Sequence, residues 1–225
     1  MSAVLFNEEI AAHYENWYET RKGKRYDRIE KSLLARALED LQPDTLLEVG
    51  CGTGHFTHFF AKRGWTVTGI DIALPMIERA RVQGVSPVFY VVADAAQLPF
   101  KNNSFEVVVL VATLEILENP VGALTEAFRV ARRGLVIGFL NKWSFLALYR
   151  KIRSLFRKDL FSGATFYSGR DVAYLLHLAA QQRGKVIEAE KVFSSWIKAG
   201  RYGLLGTFGV VGVTICSMPL EYHPR

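Results

Sequence analysis

Two hydrophobic periods alternate along the chain. Thr45–Val49, Thr66–Ile70, Val88–Val92, Glu106–Val111 and Leu135–Phe139 are short β-branched or apolar runs, which predict buried strands. Between them, Phe56–Arg63, Pro75–Gln83 and Val121–Ala131 carry apolar residues at helical spacing. Each is followed by a glycine that can close a helix: Gly64, Gly84 and Gly134. Strand alternating with helix predicts a parallel sheet covered on both faces. Right-handed crossovers make that sheet doubly wound, with ligands at the carboxyl ends of its strands. Before this pattern, Glu9–Tyr18 and Tyr26–Leu41 predict helices; after it come a helix at Arg170–Gln182 and strands at Lys185–Ser194 and Phe208–Ser217. No repeat or low-complexity linker divides the chain, so one α/β domain over 1–225 is expected. Its parts are an N-terminal helical segment (1–41), a core (42–140), an insertion (141–168) and a C-terminal helix with strands (169–225).

Composition narrows the setting. Half of the residues are hydrophobic, enough for a sizeable core. Met1–Ile10 carries acids and no sustained apolar stretch, so no signal peptide is expected. The most apolar stretch, Tyr202–Leu220, is interrupted by Gly203, Gly206, Gly209 and Gly212 and reads as buried strand, not as a membrane span. Two cysteines, Cys51 and Cys216, are too few for a disulfide framework or a metal cluster, which points to a reducing cytoplasm and no metal.

The net charge is +6, and Asn141–Lys158 alone holds six basic residues and no acidic one. The remaining 22 Lys and Arg equal the 22 Asp and Glu. A nucleic-acid binder with a uniformly basic surface is therefore not expected. Within that segment Phe145, Leu148, Tyr149, Ile152, Leu155 and Phe156 form an apolar stripe, with Arg150, Lys151, Arg153, Arg157 and Lys158 largely off it. This predicts an amphipathic helix at 143–158 after strand five. It can cover the core, close over a substrate, or make peripheral contact with membrane or RNA.

The candidate chemistry lies at strand ends. Leu46-Leu47-Glu48-Val49 runs into Gly50-Cys51-Gly52-Thr53-Gly54 and then a helix from about His55. Glycines permit positive φ and let a ligand touch the backbone, while a helix N-terminus offers free N–H groups. A tight turn without a ligand is the alternative. Strand two ends in Asp71, whose carboxylate can accept both hydroxyls of a ribose or can simply cap the next helix. A dinucleotide fingerprint counted from Gly50 would want a third glycine where His55 stands, so that cofactor is disfavoured. After strand three, the Asp94 carboxylate and the Ala95 N–H can read an adenine edge, or Asp94 can serve as a surface cap.

These residues together resemble the class I S-adenosylmethionine-dependent methyltransferases of the "type 11" group. The resemblance rests on residues 46–54, Val67-Thr68-Gly69-Ile70-Asp71, Ala93–Phe100, Ser104–Val108 and Thr113–Leu117, and covers roughly residues 10 to 140. It implies a Rossmann-like seven-stranded sheet of order 3-2-1-4-5-7-6 with strand seven antiparallel. It implies S-adenosylmethionine as methyl donor, S-adenosylhomocysteine as product, and an in-line displacement. By the same resemblance Glu48 orients the methionine amino group, Gly50 and Gly52 border the methionine, and Asp71 holds the ribose. Ile72 packs on adenine, Asp94 and Ala95 read it, and Val111 lines the sulfonium end. Cys51, Gly54 and Met76 join the same site. Ala12–Tyr18 resembles a lid from which Tyr14 closes over the cofactor; an aromatic helix packed on the core is the alternative. The chain departs from the group at Glu106, at Arg132-Arg133-Gly134, and at His55, which can reach the cofactor.

A general base is needed only for an unactivated protonated acceptor. His13, Tyr14, Glu115, Asn141 and His177 are candidates by position, none assigned as catalytic; His58 reads as structural. The expected acceptor is a small molecule. A cofactor-binding module without turnover and an RNA-modifying enzyme are the alternatives.

Overall fold

The structure is a computed structural model, and it describes residues 6–83, 87–142, 164–194 and 208–217. Seven strands form one sheet: β1 (Thr45–Val49), β2 (Thr66–Asp71), β3 (Val88–Val92), β4 (Phe105–Val111), β5 (Ala131–Leu140), β6 (Lys185–Ser194) and β7 (Phe208–Ser217). Their order is β3-β2-β1-β4-β5-β7-β6. The first five run parallel, and β7 is antiparallel to both β5 and β6. The order reverses between β1 and β4, and the crevice above such a reversal is where open α/β sheets bind ligands.

Alternation along the strands builds two cores. Leu46, Val67, Val107, Val109 and Val136 pack with helix α3 (Arg21–Leu41) and helix α4 (His55–Ala61). Leu47, Val49, Val108, Leu110 and Ile137 face α6 (Pro120–Val130) and α7 (Gly169–Gln182). Neighbouring residues of one strand thus serve opposite layers, as the pleat requires. Helix α5 (Leu74–Val82) follows β2, and its Met76 packs with Ala11 of α1 (Glu8–His13).

The N-terminal segment departs from the expected single helix at Glu9–Tyr18. It forms α1 and a separate one-turn helix, α2 (Asn16–Glu19). The Asn7 side chain caps α1 by accepting from Ile10 N at 3.0 Å. Thr20 is extended and accepts from Gly23 N at 2.9 Å, which ends α2 and starts α3 five residues before the expected Tyr26. Strand β5 also begins earlier than Leu135. Ala131 pairs with Phe105, the register shifts between Phe105 and Val107, and Arg132 bonds the Glu106 carboxylate at 2.6 Å.

The insertion at 141–168 is described only at its ends. Asn141 bridges Tyr167, and Lys142 N donates to Tyr167 O at 2.9 Å, so the chain departs and returns at the carboxyl tip of β5. The expected amphipathic helix at 143–158 lies outside the described residues. The charge outside that segment balances in number but is not evenly spread. Positions 21–36 hold seven basic and two acidic residues. Of these, Arg21, Lys22, Lys24, Arg25, Arg28 and Arg36 are exposed on α3. No helix among the described residues is long and apolar enough to cross a membrane.

Candidate functional site

The glycine turn leaves β1 with three residues at positive φ: Gly50 (+74°), Gly52 (+54°) and Gly54 (+85°). Gly50 N and Cys51 N both donate to Ile70 O at 2.8 Å, which ties the turn to the end of β2. Asp71 completes the tie: its Oδ2 accepts from Gly52 N and its Oδ1 from Ala73 N, each at 2.9 Å. Burial pushes the Asp71 carboxyl up from its ordinary value, against the pull of those amides. A carboxylate has about four acceptor positions, so the group can still accept a hydroxyl.

A cavity of about 310 Å³ opens above these strand ends. That is within the size range of small-molecule sites. Gly50, Gly52, Ile70, Asp71, Ile72 and Met76 form one side, and Ala93, Asp94, Ala95 and Ala96 form the end over β3. Val111, Ala112, Thr113 and the stretch 116–119 form the facing wall, while Phe6 and Tyr14 close it from the N-terminal segment. Nine of the twelve residues expected in the cofactor site therefore meet here: Tyr14, Gly50, Gly52, Asp71, Ile72, Met76, Asp94, Ala95 and Val111.

The other three, Glu48, Cys51 and Gly54, do not line the cavity. Glu48 is 1% exposed and accepts a hydrogen bond from the Thr57 hydroxyl of α4. Burial pushes its carboxyl up to about 8, with the Thr57 bond opposing and the Asp71 charge adding. Cys51 is buried, and a Cβ on Gly69 would stand 3.0 Å from its Sγ. A Cβ on Gly54 would stand 2.6 Å from Tyr90 Oη and 3.1 Å from His58 Cε1. Tyr90 Oη and His58 Nε2 are hydrogen-bonded at 2.8 Å. These residues support the turn from behind.

At the other end of the cavity, Asp94 Oδ1 accepts from Ala96 N at 2.8 Å and shapes the loop after β3. Arg129 of α6 holds that loop by donating to Leu98 O (2.8 Å) and Phe100 O (2.7 Å) while pairing with Glu126. The tip of β4 is shaped by Thr113, whose hydroxyl lies 3.1 Å from both Val49 O and Val111 O. Ala112 is held at φ +50° beside it. A Cβ on Gly50 would come within 2.4 Å of Thr113 Cγ2, so that glycine is required by the β4 tip.

Of the candidate bases, Tyr14 alone is on the cavity wall. His13 is exposed and 3.2 Å from Asn16, and His177 pairs with Glu190 at 3.3 Å. Glu115 is buried and accepts from Leu140 N, and Asn141 bridges Tyr167. His55 stacks on Tyr18 with ring centroids 3.8 Å apart and bonds Asp27 at 2.6 Å, away from the cavity. Phe6, Ala112, Thr113 and Ile116–Asn119 were not expected in the site. The proline and asparagine that open α6 mark the end of that last stretch, but nothing local shows which way it faces.

Residues present fit a nucleoside-bearing sulfonium cofactor. A Cβ on Gly52 would find only Tyr14 Cε1, at 3.9 Å, so the backbone there is open to close approach. Asp71 supplies the carboxylate at the β2 tip, and Ile72, Met76 and Ala95 supply apolar surface beside it.

Comparison with known proteins agrees. Residues 47–138 match the family model described as a methyltransferase domain. Over 174 residues the chain is 30% identical to the uncharacterized protein MJ1123 of Methanocaldococcus jannaschii, covering 75% of this chain and 77% of that one. It is 33% identical over 96 residues to the malonyl-[acyl-carrier protein] O-methyltransferase of Serratia marcescens; that match spans 43% of this chain and only 37% of the relative. A solved S-adenosylmethionine-dependent methyltransferase of Thermotoga maritima, described as a possible histamine N-methyltransferase, superposes with a TM-score of 0.71. It is 25% identical, over 94% of this chain and 98% of that one. The magnesium protoporphyrin IX methyltransferase of Synechocystis with bound S-adenosylhomocysteine shares the fold at a TM-score of 0.67, 19% identity and 94% and 96% coverage. The chain belongs to the class I S-adenosylmethionine-dependent methyltransferases. Its cofactor is S-adenosylmethionine.

Proposed function

We propose that the protein methylates a small-molecule acceptor in the cytoplasm. The observation that carries this reading is the enclosure of the cavity: Phe6 and Tyr14 close one side, and the wall over β4 and α6 brings Ile116 and Leu117 to it. Such a space suits a compact acceptor better than a polymer. The free thiols Cys51 and Cys216 are consistent with a reducing compartment.

In this reading Asp71 accepts from the ribose hydroxyls, Asp94 and the Ala95 amide read the adenine edge, and Ile72 and Met76 flank its ring. Gly50 and Gly52 border the methionine, and Val111 lines the reacting end. Glu48, Cys51 and Gly54 act from behind the turn. S-adenosylmethionine, when bound, supplies the activated methyl group. The chain's own residues then supply orientation and exclusion of water, with Tyr14 covering the cofactor beside Gly52. No base is needed for an acceptor that is already a carboxylate or thiolate.

The malonyl-[acyl-carrier protein] O-methyltransferase relatives favour a carboxylate as one acceptor class to try first. Release of S-adenosylhomocysteine should be assayed across carboxylic acids, amines, phenols and thiols, with a malonyl thioester included. Turnover on a compact acceptor is expected. Tight binding of S-adenosylmethionine with no product on any acceptor would favour a binding module, and salt-sensitive tRNA methylation would favour the RNA reading.

A further inference from the structure

Helix α1 is six residues long and buries Ala11 alone. A helix that short has no stability of its own, so its position depends on tertiary anchors. Phe6, Ile10 and Tyr14 pack with Ala73 and Met76, which gives an apolar anchor against α5. The polar anchor is Glu15. Its Oε1 accepts from the Thr53 hydroxyl at 2.9 Å and from Gln83 Nε2 at 2.7 Å. Thr53 lies between Gly52 and Gly54 and is 1% exposed. Gln83 is the C-cap of α5, the helix that carries Met76. One carboxylate oxygen therefore joins the residue next to Tyr14 to the glycine turn and to the end of α5. Tyr14, Gly52 and Met76, each within seven residues of one of these partners, all line the same cavity.

We propose that Glu15 is a positioning residue for the cofactor: by holding Thr53 and Gln83 together it keeps Tyr14 closed on Gly52 and slows cofactor release. The proposal rests on the cavity being the cofactor site. It requires hydrogen-bond acceptance, not charge as such. An amide oxygen at the same position can accept both bonds, whereas a methyl group can accept neither.

The probe is S-adenosylhomocysteine, with its dissociation rate measured by stopped flow and its affinity by calorimetry. Glu15→Ala is expected to release it about tenfold faster, the net loss of two hydrogen bonds at a partly exposed site. Glu15→Gln should stay within about threefold of the native rate, and Gln83→Leu, which removes one donor, should fall between. In the cofactor-free protein, amide exchange over residues 8–19 should quicken in Glu15→Ala and not in Glu15→Gln. An unchanged dissociation rate in Glu15→Ala, or a Glu15→Gln variant as fast as Glu15→Ala, would overturn the proposal. Asp71→Ala serves as the control. If it weakens binding while Glu15→Ala does not, only the role of Glu15 fails; if neither weakens binding, the site assignment fails as well.

Discussion

Gly52 and Gly54 are two residues apart in one turn, both at positive φ, and they answer to different constraints. A side chain on Gly52 would project toward the cavity, where only Tyr14 comes within 3.9 Å. A side chain on Gly54 would strike Tyr90 and His58, 2.6 and 3.1 Å away, on the side that holds the turn against α4 and β3. One glycine leaves room for a ligand and the other leaves room for the protein. The same division runs through the neighbouring acids: Asp71 lines the cavity, while Glu48 is buried behind it.

The largest effect expected from this division is at Asp71, which serves both sides. Asp71→Ala removes the proposed ribose acceptor and also frees Gly52 N, and should weaken S-adenosylmethionine binding by about a thousandfold in calorimetry, the equivalent of two charged hydrogen bonds. Binding within threefold of native would break the assignment.

Gly54→Val should cost stability first. Strain at φ +85° and the contact with Tyr90 together are expected to cost about 3 kcal/mol, read as a lower urea midpoint. Gly52→Val should do the reverse, losing about 1–2 kcal/mol to backbone strain yet weakening the cofactor by about a hundredfold. If both variants lose stability and affinity in the same proportion, the two glycines are not distinct.

The last contrast is the pH dependence of Glu48, read in stability alone. Its folded carboxyl lies near 8 and its ordinary value is 4.5, so the folded protein holds a proton that the unfolded chain releases. Stability from this group is fully present below 4.5 and is lost as pH rises through about 8. Glu48→Gln, which keeps an acceptor for Thr57, should be more stable than native at pH 8 and match it near pH 4. Parallel urea midpoints for the two proteins across that range would sink the idea.

Much of this was legible in the chain because buried strands announce themselves. Thr45–Val49, Val88–Val92, Lys185–Ser194 and Phe208–Ser217 have the bounds that their hydrophobic runs predict. The early start of β5 was not legible. Ala131-Arg132-Arg133 has no strand-like pattern and pairs only through a register shift, with Arg132 held by Glu106. The strand order came from the family resemblance, since periodicity does not specify neighbours. In the site, Asp71 and Asp94 could be read because strand ends with acids form a recognisable series. Ala112 and Thr113 could not, because a non-glycine residue at φ +50° is imposed by contacts from β1 and β5. The break between α1 and α2 is not marked in the hydrophobic pattern, although Thr20 and Gly23 carry the cap that starts α3.

The bridge between Asn141 and Tyr167 has a consequence for how such a protein can diversify. Because Asn141 and Lys142 meet Tyr167 at one point, the stretch between can be lengthened, shortened or exchanged without moving β5 or α7. Selection can thus rewrite that stretch while leaving the glycine turn and the tip of β2 alone. A bench graft could do the same, joining Lys142 to Ala164 through a short linker or a homologous segment.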